Sequence, residues 1–124
     1  PAKQEARRVP CDFDPNHIAI DAKARRAAVG GFDQIAIFDL KKGKLLKKLA
    51  AESVQALAWS PNADRLALMD EEAVVMYDTK SWQPIKRLEA PDAADLAWSP
   101  DGKLLALATW KKGELWEVDQ LPDA

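Results

Sequence analysis

Residues Leu96–Leu107 read LAWSPDGKLLAL, and residues Leu57–Leu68 read LAWSPNADRLAL. The two tryptophans, Trp98 and Trp59, lie 39 positions apart, so one stretch is a copy of the other at a fixed spacing. In each copy an alternating apolar run is followed by Ser-Pro with Asn or Asp, which favour a tight turn, and then by a second apolar run. The pair therefore predicts an array of β-hairpins.

The same 39-residue spacing relates parts of the chain that were not used to set it. Each repeat has a third strand ending in an aliphatic, an aromatic and an acidic residue: Ile37-Phe38-Asp39, Met76-Tyr77-Asp78 and Leu115-Trp116-Glu117. The first repeat is degenerate, since Ile20 occupies the position that corresponds to Trp59 of the second repeat. Four short strands in about 40 residues are typical of a propeller blade. The sequence therefore predicts an all-β protein of three four-stranded antiparallel repeats, arranged as β-propeller blades.

These residues resemble the WD-repeat family, and the Trp-Ser-Pro-Asp-Gly-Lys stretch is also similar to TolB-like propeller repeats. WD-repeat blades close their third strand with Trp-Asp, which here appears as Phe38-Asp39, Tyr77-Asp78 and Trp116-Glu117. The chain departs from the family where Gly-His would precede the first strand, at Ala50-Ala51 and Pro91-Asp92. The resemblance covers nearly the whole chain and implies a non-catalytic scaffold that presents loops to protein or peptide partners.

We expect a single domain over residues 1–124, because repeat units stack on one another rather than folding alone. It divides into an N-terminal segment (1–16), blade 1 (17–53), blade 2 (54–92) and blade 3 (93–124), the last without a fourth strand. Three blades do not close a ring, since propellers typically have about four to eight. We consider three explanations: assembly of identical chains, a fragment of a longer propeller, or an engineered piece.

The N-terminal segment contains a candidate closing strand in Arg8, Val9, Cys11 and Phe13, whose apolar members alternate. Pro10 places such a strand at a sheet edge. We expect it to complete blade 3 of a neighbouring copy, since heterologous contacts close into rings when the rotation fits. The favoured assembly is a homodimer with six blades, and a homotrimer with nine is second.

Composition excludes several classes of protein. The 18 basic and 20 acidic residues nearly cancel and the basic ones are spread along the chain, which argues against a nucleic-acid binder. No apolar run is long enough for a membrane span. Cys11 is the one cysteine and His17 the one histidine, so neither a disulfide nor a zinc site is predicted, and no cofactor is expected. Together with the absence of a leader-like segment, this predicts a cytoplasmic protein.

No catalytic motif stands out, because His17 has no Ser or Cys partner at motif spacing and Gly30-Gly31 fits a hairpin turn. We therefore predict that the chain is not an enzyme. The candidate partner-binding residues lie in turns, and two tryptophans among them break the repeat pattern. They are Phe32, Asp33, Asp70, Glu71, Glu72, Trp82, Trp110, Lys111 and Lys112. The competing hypothesis is a small-ligand receptor or enzyme whose site lies in the central channel of an assembled ring.

Overall fold

The computed structural model describes residues 8–23 and 25–124, and their strands form three antiparallel sheets, which we call blades 1, 2 and 3. Blade 1 contains β1 (His17–Ile20), β2 (Arg26–Gly30), β3 (Gln34–Asp39) and β4 (Lys44–Ala50). Blade 2 contains β5 (Ala56–Trp59), β6 (Arg65–Met69), β7 (Ala73–Asp78) and β8 (Pro84–Glu89). Blade 3 contains β9 (Ala93–Trp98), β10 (Leu104–Thr109) and β11 (Gly113–Glu117). The all-β prediction is confirmed. Blades 1 and 2 have four strands each, and blade 3 has three, in line with the expected lack of a fourth strand.

Blade 2 is clamped between the other two blades, and this explains why its strands are apolar on both faces. Four consecutive residues of β6, Leu66 to Met69, are buried. Leu66 and Leu68 pack in the cluster shared with blade 1, whereas Ala67 and Met69 pack in the cluster shared with blade 3. Successive strand residues point to opposite faces, so a strand covered on both sides must carry apolar residues at every position.

The two repeat tryptophans fasten each blade to the one before it. The indole Nε1 of Trp59 donates to the Ala19 carbonyl of blade 1 at 2.9 Å, and that of Trp98 donates to the Ala58 carbonyl of blade 2 at 3.1 Å. A buried indole N–H is costly without an acceptor, so each bond fixes the position of its ring between two first strands. Trp59 belongs to the buried core, and Trp98 packs against the core while partly buried.

Arg26 forms a second link between blades 1 and 2. Its guanidinium lies 4.6 Å from the ring centroid of Trp59 and donates to the carbonyl of Ala63 at 2.8 Å and that of Thr79 at 3.2 Å. Asp21, whose side chain is buried, lies 3.7 Å from the same guanidinium and balances its charge. Arg suits this position better than Lys, because a planar guanidinium can stack on an aromatic ring while its edge donates hydrogen bonds.

The turns after the repeat tryptophans are held by the serine that follows each of them. Ser99 Oγ donates to Asp101 Oδ1 at 2.6 Å, which also accepts from the Lys103 amide at 3.0 Å. These bonds, the serine's above all, hold the pKa of the Asp101 carboxyl below its ordinary value. Gly102 has φ of 74°, a conformation that glycine adopts without strain, and completes the predicted turn.

The last residues of the chain cross from blade 3 to the outer edge of blade 2. After the 3₁₀ turn Val118–Gln120, the backbone of residues 121–124 runs antiparallel to β8. The Arg87 amide donates to the Pro122 carbonyl at 2.9 Å, and the Ala124 amide donates to the Ile85 carbonyl at 3.2 Å. Val118 and Leu121 are buried in the cluster between blades 2 and 3, so this tail ties the two blades together.

The strand predicted over Arg8–Phe13 is not formed in the single chain. These residues pair with no sheet edge in the described structure, and the side chains of Val9, Cys11 and Phe13 lie instead against the outer face of blade 1. The residues that they cover there are Val29, Ala36 and Phe38. Apolar side chains at alternate positions are compatible with pairing at a sheet edge and with packing on an apolar face. In the single chain they pack on the face of blade 1, because it is the nearest apolar surface. Residues 1–7 of the predicted segment lie outside the described residues.

Candidate partner-binding surface

The three β2–β3-type loops, one per blade, lie at the same end of the sheets, which we call the loop end. They comprise residues 31–33, 70–72 and 110–112, between the second and third strands of each blade. The connections from each blade to the next, 51–55 and 90–92, lie at this end too: the Ala51 amide donates to the Asp33 carbonyl, and the Ala90 amide to the Glu72 carbonyl. The loop end thus brings together all the predicted site residues except Trp82.

Phe32, in the blade 1 loop, is 76% exposed. The Phe32 carbonyl accepts from the Ser53 amide, and the Gly31 amide donates to the Gln34 carbonyl at 2.9 Å. Gly31 is required here because a Cβ would lie 2.6 Å from the Phe13 ring. The loop is therefore fixed on both sides while the aromatic ring of Phe32 faces solvent.

The blade 2 loop is a tight acidic turn. Asp70 Oδ1 accepts from the amides of Glu72 and Ala73, both at 2.8 Å, as an Asx turn requires. Asp70 thus shapes the loop, whereas the carboxylates of Glu71 and Glu72 are exposed and available to a partner.

Trp110 dominates the blade 3 loop and is 85% exposed. The turn beneath it is closed by the Thr109 amide donating to the Lys112 carbonyl at 2.8 Å and by the Thr109 hydroxyl donating to the same oxygen at 3.0 Å. Lys112 Nζ lies 3.6 Å from Glu114, and Lys111, which follows Trp110 in the loop, is exposed. An exposed aromatic on a pinned turn is costly to solvate and loses little conformational entropy on binding.

The loop end is acidic apart from its blade 3 margin. Glu52 and Asp92, both exposed, join the acidic residues of the loops, since the blade-to-blade connections lie at this end. Sequence analysis missed these two, although the strand order alone could have placed them there. The hydrogen bond to Glu89 raises the pKa of the nearby Arg87, and the charges of Asp70 and Glu72 raise it further.

Trp82 lies at the opposite end, in the turn between β7 and β8, with φ of 58°. It is partly buried, and its ring meets that of Trp59 edge-to-face with centroids 6.2 Å apart. The Arg26 guanidinium is 5.9 Å from its centroid. Trp82 therefore belongs to the packing between blades 1 and 2 rather than to the loop end.

The described chain also has a concave surface away from the loop end. A cavity of 710 Å³ lies between blades 1 and 2 at the end opposite the loops and is lined mainly by polar and charged residues, Lys23, Arg25 and Asp39 among them. Residues 8–23 and 25–124 contain no group of three side chains placed to hold a metal ion. A helix of the length and apolarity needed to cross a bilayer is likewise absent from this part of the chain.

Comparison with known proteins identifies the family of these blades. Residues 57–119, half of the chain, match the family described as the anaphase-promoting complex subunit 4 WD40 domain. The chain belongs to this WD40 family. The matched range spans most of blade 2 and all the strands of blade 3, and so includes both Trp-Ser-Pro stretches that carry the resemblance to WD repeats.

Solved structures place the WD40 chain among β-propellers. It is similar to Kuenenia stuttgartiensis hydrazine synthase, with a TM-score of 0.81 and 19% identity over 99% of this chain and 38% of that one. It is also similar to the Cps50 (Swd1) β-propeller domain of Myceliophteria thermophila, with a TM-score of 0.81 and 16% identity over 93% and 37%. The WD40 chain thus spans less than two fifths of either protein, and at this identity the likeness concerns the fold alone. The search of curated proteins gives no match.

Proposed function

We propose that the WD40 chain is a non-catalytic interaction scaffold that binds a protein or peptide at its loop end. The observation that carries this proposal is the pair of exposed aromatic rings, Phe32 and Trp110, held on loops whose backbones are pinned by hydrogen bonds. Pinned aromatic side chains bind with little loss of freedom and are frequent energetic centres of interfaces. The family to which the chain belongs is named for a subunit of a multi-protein complex, which also supports a role in protein binding.

The charges of the loop end define the chemistry of the partner. Glu71 and Glu72 are exposed on the blade 2 loop, which lies between the blades that carry Phe32 and Trp110, and the exposed Lys111 follows Trp110. A segment with Lys or Arg side chains over the blade 2 loop and apolar side chains over the rings fits this arrangement. Electrostatic complementarity of this kind acts mainly on the association rate, so binding should weaken as salt rises.

Replacing Trp110 by alanine should weaken partner binding by roughly thirtyfold or more, in the range of about 2 kcal/mol for an interface hot spot. Peptides selected against the parent chain from a displayed random library provide the probe, and their affinities for each variant are measured by fluorescence anisotropy. Selected peptides should be rich in Lys and Arg. Leu45→Ala, which removes an exposed apolar side chain from β4, is the matched control and should leave binding unchanged.

The rival central-channel site predicts a different pattern. If the peptides bind Trp110→Ala as well as the parent but lose affinity for Asp95→Ala, on the first strand of blade 3, then the scaffold proposal is wrong. Circular dichroism of each variant separates loss of binding from loss of fold.

We further propose that two copies of the chain close a six-bladed ring. Leu115 of blade 3 is 73% exposed, whereas Ile37 and Met76, at the same position of blades 1 and 2, are buried by the next blade. Ile18 and Ile20 on the outer face of blade 1 are exposed in a similar way. Apolar faces of this kind favour association, at about 25 cal/mol for each Å² covered.

Ring closure requires the N-terminal segment to move. Val9, Cys11 and Phe13 occupy part of the face of blade 1 that the other copy would cover. We propose that in the ring this segment pairs with β11 of the other copy, an exchange between copies of the domain-swapping kind. A nine-bladed homotrimer is the alternative closure.

Leu115→Asp should convert the dimer to a monomer, because it places a charge on the face that must be buried. Light scattering coupled to size exclusion measures the mass, and the variant should elute at the chain mass of 13.7 kDa. Phe32→Asp, an equally exposed position away from this face, should remain dimeric. A parent chain that stays monomeric at high concentration would contradict ring closure.

A further inference from the structure

The outer edge of β8 already carries a short added strand, supplied by the chain's own tail. Around Lys86 and Asp123, which face each other in an antiparallel bridge, the flanking backbone groups of β8 make two hydrogen bonds to the tail. Lys86 Nζ adds charge-assisted bonds to Asp123 Oδ1 at 2.9 Å and to the Leu121 carbonyl at 3.1 Å. This edge therefore binds an extended segment by backbone pairing and by one lysine that selects an acidic side chain.

The outer edge of β4 repeats this arrangement 39 residues earlier. Lys47 occupies the position of Lys86, and Leu46 and Lys48 occupy those of Ile85 and Arg87. The pairing with the third strand shifts register at the same place in both blades, between Ile37 and Phe38 and between Met76 and Tyr77. Because the bulges match, the Leu46 carbonyl and the Lys48 amide take the outward positions that the Ile85 carbonyl and Arg87 amide have in β8.

The two edges differ in what covers them. The Lys86 side chain is only 18% exposed beneath the tail, whereas Lys47 is exposed. Leu46 is 52% exposed, whereas Ile85 is partly buried. Within the described residues β4 is the last strand of blade 1, so its outer side pairs with no other strand.

We propose that the outer edge of β4 binds an extended acidic peptide by strand addition, with an Asp or Glu opposite Lys47. The tail bound along the equivalent edge of β8 shows the backbone pairing that the peptide would make. The positive charge of β4 would select acidic peptides. Lys44 and Lys47 are exposed on this strand, and Lys48 Nζ contacts Asp12 at 2.5 Å without being buried by it. Exposed strand edges bind extended chains readily, and a lysine-rich edge disfavours a second lysine-rich edge while accepting an acidic one.

This site is separate from the loop end, because it uses a sheet edge rather than the loops. It takes a partner of opposite charge, acidic instead of basic. The proposal therefore stands or fails independently of the proposed function.

The test uses a synthetic peptide with the sequence of residues 118–124, VDQLPDA, amidated so that no terminal carboxylate imitates the aspartate. Its binding to the full chain is followed by NMR titration, which reports the amides of β4 and β8 separately. The expected shifts lie at Leu46 to Lys48. Lys47→Glu should weaken binding roughly three- to tenfold, since it replaces attraction by repulsion at a partly exposed pair. Lys42→Glu, an equal charge change in the preceding turn, should have a smaller effect.

Backbone pairing is tested with two methylated peptides. N-methylation at the alanine corresponding to Ala124 removes the amide that would donate to Leu46 and should abolish binding. N-methylation at the preceding aspartate is the control and should preserve it. The proposal is overturned if the peptide does not bind. It is also overturned if Lys47→Glu binds as tightly as the parent, or if the shifts lie on β8 and disappear with Lys86→Glu, since the peptide would then be exchanging with the tail.

Discussion

Replacing Trp59 by alanine is expected to lower the free energy of unfolding by about 3–5 kcal/mol, the range for truncating a large buried aromatic side chain. Trp59 is 8% exposed and fills the space between blades 1 and 2. Its loss would also leave the Ala19 carbonyl without the indole donor and remove the ring on which Arg26 stacks. Since the stability of a small domain is about 5–15 kcal/mol, this one change can unfold most of the chain.

Urea denaturation followed by circular dichroism measures this effect. Trp59→Phe keeps an aromatic ring but not the indole N–H, so it should cost clearly less than the alanine variant. Trp110→Ala removes an equally large but exposed side chain and should change stability by less than about 0.5 kcal/mol. If Trp59→Ala costs no more than Trp110→Ala, the indole does not fasten the two blades.

Deleting residues 121–124 should destabilise the chain by about 3 kcal/mol, on the scale of burying one leucine and making two backbone hydrogen bonds. The deletion removes Leu121 from the cluster between blades 2 and 3. It also exposes the outer edge of β8 and the aliphatic part of Lys86. Blade 3 should lose more protection than blade 1, because the tail joins blade 3 to blade 2.

Hydrogen exchange measured by mass spectrometry resolves the three blades. Asp123→Ala is the matched control, since it removes one ion pair whose carboxylate is 89% exposed and should cost under about 1 kcal/mol. Equal loss of protection in all three blades after the deletion would mean that the tail stabilises the chain generally and does not join two blades in particular.

The repeat predicted the sheets because it carries the packing pattern itself. Apolar residues on both faces of each second strand, tryptophan at a constant spacing and turn residues after it leave little freedom in where strands lie. The two ends of the chain carry no such constraint. The segment Val9–Phe13 and the tail from Leu121 are each apolar enough to be buried, but their partners are chosen by which surface is near in space, which local sequence does not specify.

The candidate site shows the same limit. Trp82 and Trp110 both break the repeat, and nothing in the flanking sequence distinguishes an anchor for a partner from a ring that packs within the fold. The structure separates them, because Arg26 reaches from blade 1 to the rings of Trp59 and Trp82, and its contact with Trp82 spans more than fifty positions in sequence. Trp110 is followed by two exposed lysines and has no blade beyond it in the described chain.

The indole bonds also determine where a ring of two copies would be weakest. Ala97 stands at the position of Ala19 and Ala58, the carbonyls that receive the indoles of Trp59 and Trp98. The blade that another copy would place beside Ala97 is its blade 1, which carries Ile20 where the tryptophan belongs. The junctions between chains would thus lack the bond that every junction within a chain has, and on dilution the ring should separate there first, releasing chains whose internal blade contacts are intact.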